Sequence, residues 1–219
     1  MIKAILFDLD NTLIDFMSFK KNCCSAALDA MISAGLKINK KKAAKILFEL
    51  YDKYGIEYNK VFQKFLQRTK GKIDYKILAH GIIAYRKLKE NYLVPYPKVI
   101  SILKKLKKKY KLAIISDAPR IKAWERLAAM DIDRFFDVVV TKGDVKRQKP
   151  SSRIFRKALS MLKVSPEDAV MVGDRIERDI KGAKALGIRT VFARYGAPEV
   201  KKSGADFEIR RITDLLKII

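Results

Sequence analysis

Residues 2–13 read Ile2-Lys3-Ala4-Ile5-Leu6-Phe7-Asp8-Leu9-Asp10-Asn11-Thr12-Leu13, an apolar run followed closely by two acidic side chains. The apolar part, Ile2 to Phe7, predicts a short buried β-strand. Asp8 and Asp10 lie two residues apart, so on an extended backbone their side chains point the same way. Two neighbouring carboxylates are costly unless a cation neutralises them or one of them carries a proton. The pattern therefore predicts either a Mg²⁺-assisted site or an ordinary turn at the end of a strand.

Four further apolar runs follow in the chain, and helical patterns separate them. The runs are Leu112–Ile115, Asp137–Val140, Ala169–Val172 and Thr190–Ala193. The helical patterns cover Pro97–Lys109, Arg120–Met130, Ser152–Leu162 and Glu177–Leu186. Strands that alternate with helices are typical of a mostly parallel sheet with helices on both faces. The sequence therefore predicts an α/β fold and places Asp8 at the sheet edge where such folds bind ligands.

Residues 15–94 depart from this alternation, because they show helical periodicity and no convincing strand pattern. The predicted helices are Phe19–Ala34, Lys40–Tyr54, Tyr58–Thr69 and Tyr75–Glu90. About half of the aromatic residues of the chain fall in this segment, enough for a small core of its own. We therefore predict an all-helical subdomain inserted between the first strand and the rest of the sheet.

Polar side chains also follow the other predicted strands. They are Ser116 and Asp117 after the second strand, Gly173 and Asp174 after the fourth, Asp179 beyond them, and Lys149 before Pro150. Taken singly, each has a structural explanation, such as a helix N-cap or a solvated surface charge. Taken together, they bring carboxylates, a hydroxyl and an ammonium group to one rim of the predicted sheet.

Four motifs, in this order along the chain, resemble those of the haloacid dehalogenase-like hydrolase superfamily. They are Phe7-Asp8-Leu9-Asp10-Asn11-Thr12-Leu13, Ile114-Ile115-Ser116-Asp117, Lys149-Pro150 and Val172-Gly173-Asp174-Arg175-Ile176-Glu177-Arg178-Asp179. The resemblance implies a Rossmann-like core, here residues 1–14 and 95–219. It also implies a cap after the first motif, and residues 15–94 stand in the position of a helical C1-type cap.

The resemblance implies that Asp8 is the nucleophile and Asp10 the general acid and base. The implied cofactor is Mg²⁺, bound by Asp8, Asp174 and the backbone carbonyl of Asp10. Asp179 matches the last acidic position of the family, which supports the metal or Lys149 without contacting the substrate.

The resemblance further implies that Ser116 and Lys149 hold the phosphoryl group, and Asp117 is assigned to the phosphate-binding residues with them. The cap is expected to select the substrate through side chains close in sequence to the nucleophile. The candidates for substrate specificity are Phe16, Phe19, Lys20 and Lys21.

The superfamily includes several reactions, and Asp10 favours phosphoryl transfer, because its haloacid dehalogenases have a non-acidic residue at this position. We therefore expect a Mg²⁺-dependent phosphatase that hydrolyses a small phosphorylated metabolite through an aspartyl-phosphate. A phosphoglucomutase-like transferase, a haloacid dehalogenase and a phosphonatase with a Schiff-base lysine in the cap stay open as alternatives. A receiver-like phospho-acceptor module is a different class, and the long insertion and Asp10 both argue against it.

The chain of 219 residues carries 48 basic and 24 acidic side chains, a net charge of +24. Residues 15–94 hold 17 of the basic and 7 of the acidic side chains, so the excess is spread along the chain. A nucleic-acid-binding surface requires clustered charge. We therefore interpret the basic excess as a Lys-rich solvated surface of the kind found in thermophiles, and expect no nucleic-acid partner.

The cysteines of the chain are Cys23 and Cys24, and an adjacent pair does not form a disulfide framework. No apolar run approaches the roughly 20 residues that span a bilayer. We expect a cytoplasmic protein without a membrane partner, active as a monomer or a homodimer on a small-molecule substrate.

Overall fold

The computed structural model describes the backbone of residues 1–219 and the side chains of all of them except 90–92. Its strands are β1 (Ala4–Phe7), β2 (Lys111–Ser116), β3 (Val138–Thr141), β4 (Ala169–Gly173), β5 (Arg189–Ala193) and β6 (Phe207–Ile209). They form one sheet in the order β3-β2-β1-β4-β5-β6, and every neighbouring pair is parallel. The α/β class predicted from the sequence is confirmed.

Helices connect the strands and fill the long segment after β1. They are α1 (Phe16–Ser33), α2 (Lys40–Tyr54), α3 (Val61–Lys70), α4 (Tyr75–Tyr92), α5 (Val99–Leu106), α6 (Arg120–Ala129), α7 (Lys142–Val145), α8 (Ser152–Leu162) and α9 (Lys181–Lys184). Among the described residues, none of these helices is both long and apolar enough to cross a bilayer.

The chain divides into two compact units. The core unit consists of Met1–Phe16 together with Val94–Ile219 and contains the sheet, and the helical unit is Met17–Leu93. The helical unit has a hydrophobic core of its own, in which side chains from each of its four helices are buried. They include Leu28 and Met31 of α1, Leu47 of α2, Phe65 of α3 and Ile77 of α4.

The central strand of the sheet, β1, is buried along its whole length, because β2 and β4 pair with its two sides and helices cover the sheet. One of the covering helices, α8, packs against β2 and β3. Its apolar residues recur at helical spacing, so a single face meets the sheet. The buried residues of α8 are Ile154, Phe155, Ala158, Leu159 and Leu162.

The sixth strand, β6, was not predicted, because the sequence pattern indicates five strands. It is three residues long and lies at the sheet edge, where only Ile209 is buried. The side chain of Asp206 attaches this strand to its neighbour. Its Oδ2 accepts hydrogen bonds from the backbone N–H of Thr190 at 2.8 Å and from the Thr190 hydroxyl at 2.7 Å. The strand therefore depends on a polar anchor more than on an apolar run.

The helix predicted at Glu177–Leu186 is replaced by a wider π-helical turn, Ile176–Ile180, that runs directly into α9. The N–H of Ile180 donates to the carbonyl of Arg175, five residues earlier. The carboxylate of Asp179, within this turn, is fully buried and accepts the backbone N–H of Arg175 at 3.0 Å. The irregular turn thus directs an acidic side chain inward, next to the end of β4.

Candidate active site

The strand order reverses between β1 and β4, so β2 and β3 lie on one side of β1 and the later strands β4 to β6 lie on the other. Open α/β sheets bind ligands at such a reversal, beyond the carboxyl ends of the strands. Asp8 directly follows β1, and its N–H donates to the carbonyl of Val172 in β4 at 2.9 Å. Ser116 ends β2 and Asp174 follows β4, so these three side chains share one edge of the sheet.

Lys149 lies at the centre of this edge, and its side chain is 2% exposed. Its Nζ lies 2.5 Å from Asp8 Oδ1 and 2.7 Å from Asp179 Oδ1, and it donates to the carbonyl of Ile115 at 3.0 Å. Burial acts to lower the pKa of Lys149, but the negative charges of Asp179, Asp8 and Asp117 outweigh it and raise that pKa. Lys149 is therefore a fixed positive charge beside Asp8.

Asp179 reaches Lys149 because the residue before Asp174 is a glycine. A Cβ atom on Gly173 would lie 2.4 Å from Asp179 Oδ2 and 2.5 Å from the carboxyl carbon, far inside van der Waals contact. The absence of a side chain at Gly173 therefore creates the space that the Asp179 carboxylate occupies.

Three buried carboxylates, Asp8, Asp174 and Asp179, offer oxygen atoms that all lie within 4.8 Å of one another. Burial and the nearby charges of Asp8 and Asp179 raise the pKa of Asp174 well above its usual range. Lys149 contacts Asp8 and Asp179, and Nε of the exposed Arg175 lies 4.0 Å from Asp174 Oδ2, so three carboxylates face two cations and negative charge is in excess. An all-oxygen donor set with excess negative charge suits a hard divalent cation such as Mg²⁺.

Asp10 is held by a residue that the sequence analysis did not select. Nη1 of Arg126, in α6, donates to Asp10 Oδ2 at 2.8 Å, and Arg126 is 5% exposed. The same guanidinium group lies 4.1 Å above the ring of Phe16. A signal exists in the sequence, because Arg126 stands at helical spacing among the apolar residues Ala123 and Met130, where a charge needs a partner.

The side chains of Ser116 and Asp117 each accept a backbone N–H. The Ser116 Oγ is buried and accepts the N–H of Ala118 at 3.1 Å. Oδ1 of Asp117 accepts the backbone N–H of Lys149 at 2.8 Å, and its Oδ2 lies 3.2 Å from Arg178 Nη1. The Asp117 carboxylate thus ties the segment that carries Lys149 to the end of β2.

The four candidates for substrate specificity lie in α1 and differ in environment. Phe16 and Phe19 are buried, and Lys21 is exposed. Lys20 is 5% exposed, and its Nζ donates to the hydroxyl of Tyr85 at 3.0 Å and lies 4.5 Å from the centre of the Tyr51 ring. A buried lysine in an aromatic environment was not predicted from the sequence.

The loop after β1 is supported from the end of β5. Asn11 has φ = 58°, a left-handed conformation that asparagine tolerates better than most residues. The hydroxyl of Tyr195 donates to the carbonyl of Thr12 at 2.8 Å. A Cβ atom on Gly196 would lie 2.0 Å from the carbonyl oxygen of Asn11 and 2.8 Å from Asp174 Cβ. Tyr195 and Gly196 therefore pack directly on the backbone that carries the acidic pair.

Proteins named as phosphatases are similar to this chain in sequence over nearly its whole length. The chain is 37% identical over 215 residues to the glyceraldehyde 3-phosphate phosphatase of Methanothermobacter thermautotrophicus, a match that covers 95% of each protein. It is 28% identical to the phosphoglycolate phosphatase of Aquifex aeolicus, over 100% of this chain and 97% of that protein.

A solved structure, that of a haloacid dehalogenase-superfamily (HAD) phosphatase from Thermococcus onnurineus, superposes with a TM-score of 0.72 at 29% identity. The superposition covers 99% of this chain and 97% of that one. The family model described as haloacid dehalogenase-like hydrolase matches residues 5–193, a span that includes both the acidic pair after β1 and the end of β5. The chain belongs to the haloacid dehalogenase-like hydrolase family.

Proposed function

We propose that this protein is a Mg²⁺-dependent phosphatase that hydrolyses a small phosphorylated metabolite through an aspartyl-phosphate intermediate. The observation that carries the proposal is the buried Lys149 ammonium 2.5 Å from Asp8, at the sheet edge where ligands bind. A phosphate ester brings negative charge to this edge, and Lys149 offsets part of its repulsion by Asp8. The relatives named as phosphatases support the same reaction.

In the first step, a carboxylate oxygen of Asp8 attacks phosphorus and forms a new O–P bond while the bond to the leaving oxygen breaks. The electron pair of the broken bond goes to the leaving oxygen, and Asp10 donates a proton to it. In the second step, Asp10 takes a proton from water as the water oxygen attacks phosphorus. As this new bond forms, the bond between phosphorus and the Asp8 oxygen breaks, which releases phosphate and restores the Asp8 carboxylate.

The cation would be held by Asp8, Asp174 and the backbone carbonyl of Asp10. Mg²⁺ held there would offset the negative charge of the phosphoryl group and of the attacking carboxylate. Asp179 would hold Lys149 in place by the contact at 2.7 Å, and its carboxylate is near enough to the other two to contribute to the electrostatics of the cation.

The phosphoryl oxygens would be stabilised by Lys149, the Ser116 hydroxyl and backbone amides after Asp8. We revise the role of Asp117 on physical grounds, since a carboxylate repels an anionic phosphoryl group. Its Oδ1 accepts the Lys149 N–H, so we assign it to positioning Lys149.

We propose a small phosphorylated metabolite as substrate, with triose phosphates such as glyceraldehyde 3-phosphate as the first class to test. The helical unit would act as the cap, with Phe16, Phe19, Lys20 and Lys21 as candidate selecting residues. Of these, Lys20, which is buried, and Lys21, which is exposed, carry a charge that can bind an anion. A cytoplasmic location and a monomeric or dimeric state stay predictions.

The experiment measures phosphate release from a panel that includes glyceraldehyde 3-phosphate, phosphoglycolate, sugar phosphates, nucleotides and pyrophosphate. We expect hydrolysis of small monoesters with Mg²⁺, loss of activity in EDTA and recovery when Mg²⁺ is restored. Asp8→Asn should lose at least about 10³-fold in kcat because the anionic nucleophile is gone.

The melting temperature of Asp8→Asn should stay equal to that of the natural protein or rise, since one of the repelling carboxylates becomes neutral. Asp29→Asn, the same substitution at an exposed carboxylate paired with Lys40, is the matched control and should keep full activity. Near-normal turnover by Asp8→Asn, or full activity in EDTA, would refute the proposal.

A further inference from the structure

Arg126 is a buried charge that the mechanism above leaves without a role. It lies in α6, and Ala123 and Leu127 of the same helix are completely buried. A guanidinium group taken out of water is costly unless charge or hydrogen bonds compensate it. An uncompensated charge here would destabilise the fold, so Arg126 can be buried only because its partners compensate the charge.

Asp10 and Phe16, which Arg126 contacts, both come from the segment that follows β1. Nη1 donates to Asp10 Oδ2 at 2.8 Å, and the guanidinium carbon lies 4.1 Å from the centre of the Phe16 ring. Phe16 is 4% exposed and is the first residue of α1. A ring stacked on a planar guanidinium group restricts its tilt, and the hydrogen bond restricts its rotation about the stem. Arg126 is therefore held in one orientation.

We propose that Arg126 is a positioning residue that fixes the direction of the Asp10 carboxyl group for proton transfer to the leaving oxygen. A carboxyl group is planar, so a bond that holds Oδ2 also sets where Oδ1 points. With Oδ2 held by Arg126, the proton given to the leaving oxygen is carried on Oδ1. This inference rests on the proposed function, because it needs Asp10 to act as the general acid.

The proton at issue is the one that Asp10 gives to the leaving oxygen in the first step. As the bond from phosphorus to the leaving oxygen breaks, the electron pair stays on that oxygen, and the Oδ1–H bond of Asp10 supplies the proton. A good leaving group such as dinitrophenolate departs as an anion and needs no proton. An alkoxide departs only with one. The rate enhancement from a correctly directed Asp10 therefore depends on the leaving group, whereas a general loss of packing lowers the rates of all substrates alike.

The test compares kcat/KM for 2,4-dinitrophenyl phosphate, p-nitrophenyl phosphate, phenyl phosphate and an alkyl phosphate, each with Mg²⁺. This ratio reports the steps up to departure of the leaving group. Arg126→Gln keeps a polar side chain of similar length and removes the charge and the fork of donors. We expect it to lose about 10²-fold or more on the alkyl phosphate, the usual size of a general acid contribution, and less than about 10-fold on dinitrophenyl phosphate.

Arg134→Gln is the matched control. Arg134 also pairs with an aspartate, Asp131 at 3.0 Å, and also stacks on a phenylalanine, Phe135 at 5.3 Å, but its side chain is 59% exposed. The control should show the natural protein's rates on all four substrates. Arg126→Lys keeps the charge without the planar fork and should fall between the natural protein and Arg126→Gln on the alkyl phosphate. It serves as the second variant if Arg126→Gln does not fold.

Equal losses across the four leaving groups, in a folded Arg126→Gln or Arg126→Lys, would overturn the positioning role and leave a structural one. That result is distinct from a failure of the proposed function. If the natural protein releases phosphate neither from these four esters nor from any metabolite of the panel with Mg²⁺, the phosphatase assignment itself is refuted, and the role of Arg126 falls with it.

Discussion

At the end of β4, Gly173 determines which charge reaches Lys149. The carboxylate of Asp179 fills the space where a side chain of residue 173 would lie, and from there it contacts Lys149 at 2.7 Å. Lys149 in turn contacts Asp8. Because interiors are packed without spare volume, a displaced Asp179 has nowhere else to go near Lys149. Because the side chain of Gly173 is only a hydrogen atom, Asp179 can contact Lys149, which in turn contacts Asp8.

Replacing Gly173 by alanine tests this dependence. The new Cβ atom would stand 2.4 Å from Asp179 Oδ2, so the carboxylate must move and Lys149 loses one of its partners. We expect destabilisation of about 1–3 kcal/mol from overpacking, together with a loss of phosphatase kcat of at least about 10-fold. Chemical denaturation and steady-state kinetics measure the two effects.

The control for this substitution is Gly143→Ala. A Cβ atom at Gly143 would meet its nearest neighbour, Thr141 Oγ1, at 3.5 Å, which is ordinary contact. Gly143→Ala should therefore keep its activity and its stability within about 0.5 kcal/mol. If Gly173→Ala behaves like Gly143→Ala, Asp179 does not need its observed position.

Among the elements, β6 is joined to its neighbour β5 by a polar side chain as well as by strand pairing. Asp206 accepts two hydrogen bonds from Thr190 and lies 2.9 Å from the Nζ of Lys184. Partial burial acts to raise the pKa of Asp206, but the bonds from Lys184 and Thr190 outweigh it and lower that pKa. A lowered pKa in the folded state means that Asp206 contributes stability above its unfolded value of about 3.9, and that this contribution is lost as the pH falls through the folded value.

This anchor predicts an acid-sensitive edge of the sheet. In the natural protein, hydrogen-exchange protection factors of the β6 amides should fall below about pH 4, before those of the central strand β1. In Asp206→Ala the β6 protection should already be low at pH 7, and its pH dependence should be small. Asp29→Ala, at an exposed ion pair, is the control and should leave β6 unchanged. Full protection of β6 in Asp206→Ala at pH 7 would show that Asp206 is not its anchor.

Five of the six strands could be predicted from the sequence, and the sixth could not. Strands β1 to β5 were predicted because a buried parallel strand is a continuous apolar run, whereas β6 buries one residue of three and leaves no such run. Asp8, Asp174 and Lys149 were expected at one edge because the carboxyl ends of parallel strands meet there. Arg126 was missed, since its partner Asp10 lies 116 residues away and only the folded chain brings the two together.

At the scale of the whole molecule, the chain is two units with separate hydrophobic cores. The residues proposed for catalysis all lie in the core unit. The amino-acid sequence of an inserted unit can change without altering the residues at the sheet edge that are proposed for catalysis. Such a unit is therefore suited to selecting the substrate.

Replacing residues 17–93 by a short Gly/Ser linker tests that role. We expect the shortened protein to keep hydrolysis of p-nitrophenyl phosphate while it loses most of its discrimination among phosphorylated metabolites, because the helical unit is proposed to exclude water and select the substrate. Circular dichroism checks that the sheet still forms. Should the shortened, folded protein rank the metabolites as the natural one does, the helical unit does not set specificity.

The central position of β1 has a consequence for synthesis on the ribosome. Ala4 pairs with Lys111 on one side and with Ala169 on the other, so the strand is made first and its partners come long afterwards. At about 5–20 residues per second, β1 waits for at least several seconds with both edges unpaired. During that time the helical unit, Met17–Leu93, which has a hydrophobic core of its own, can fold before the strands that pair with β1 are made. The nascent chain thus carries an apolar, aggregation-prone strand that only a late segment protects, a period in which a chaperone that binds extended apolar segments has a natural target.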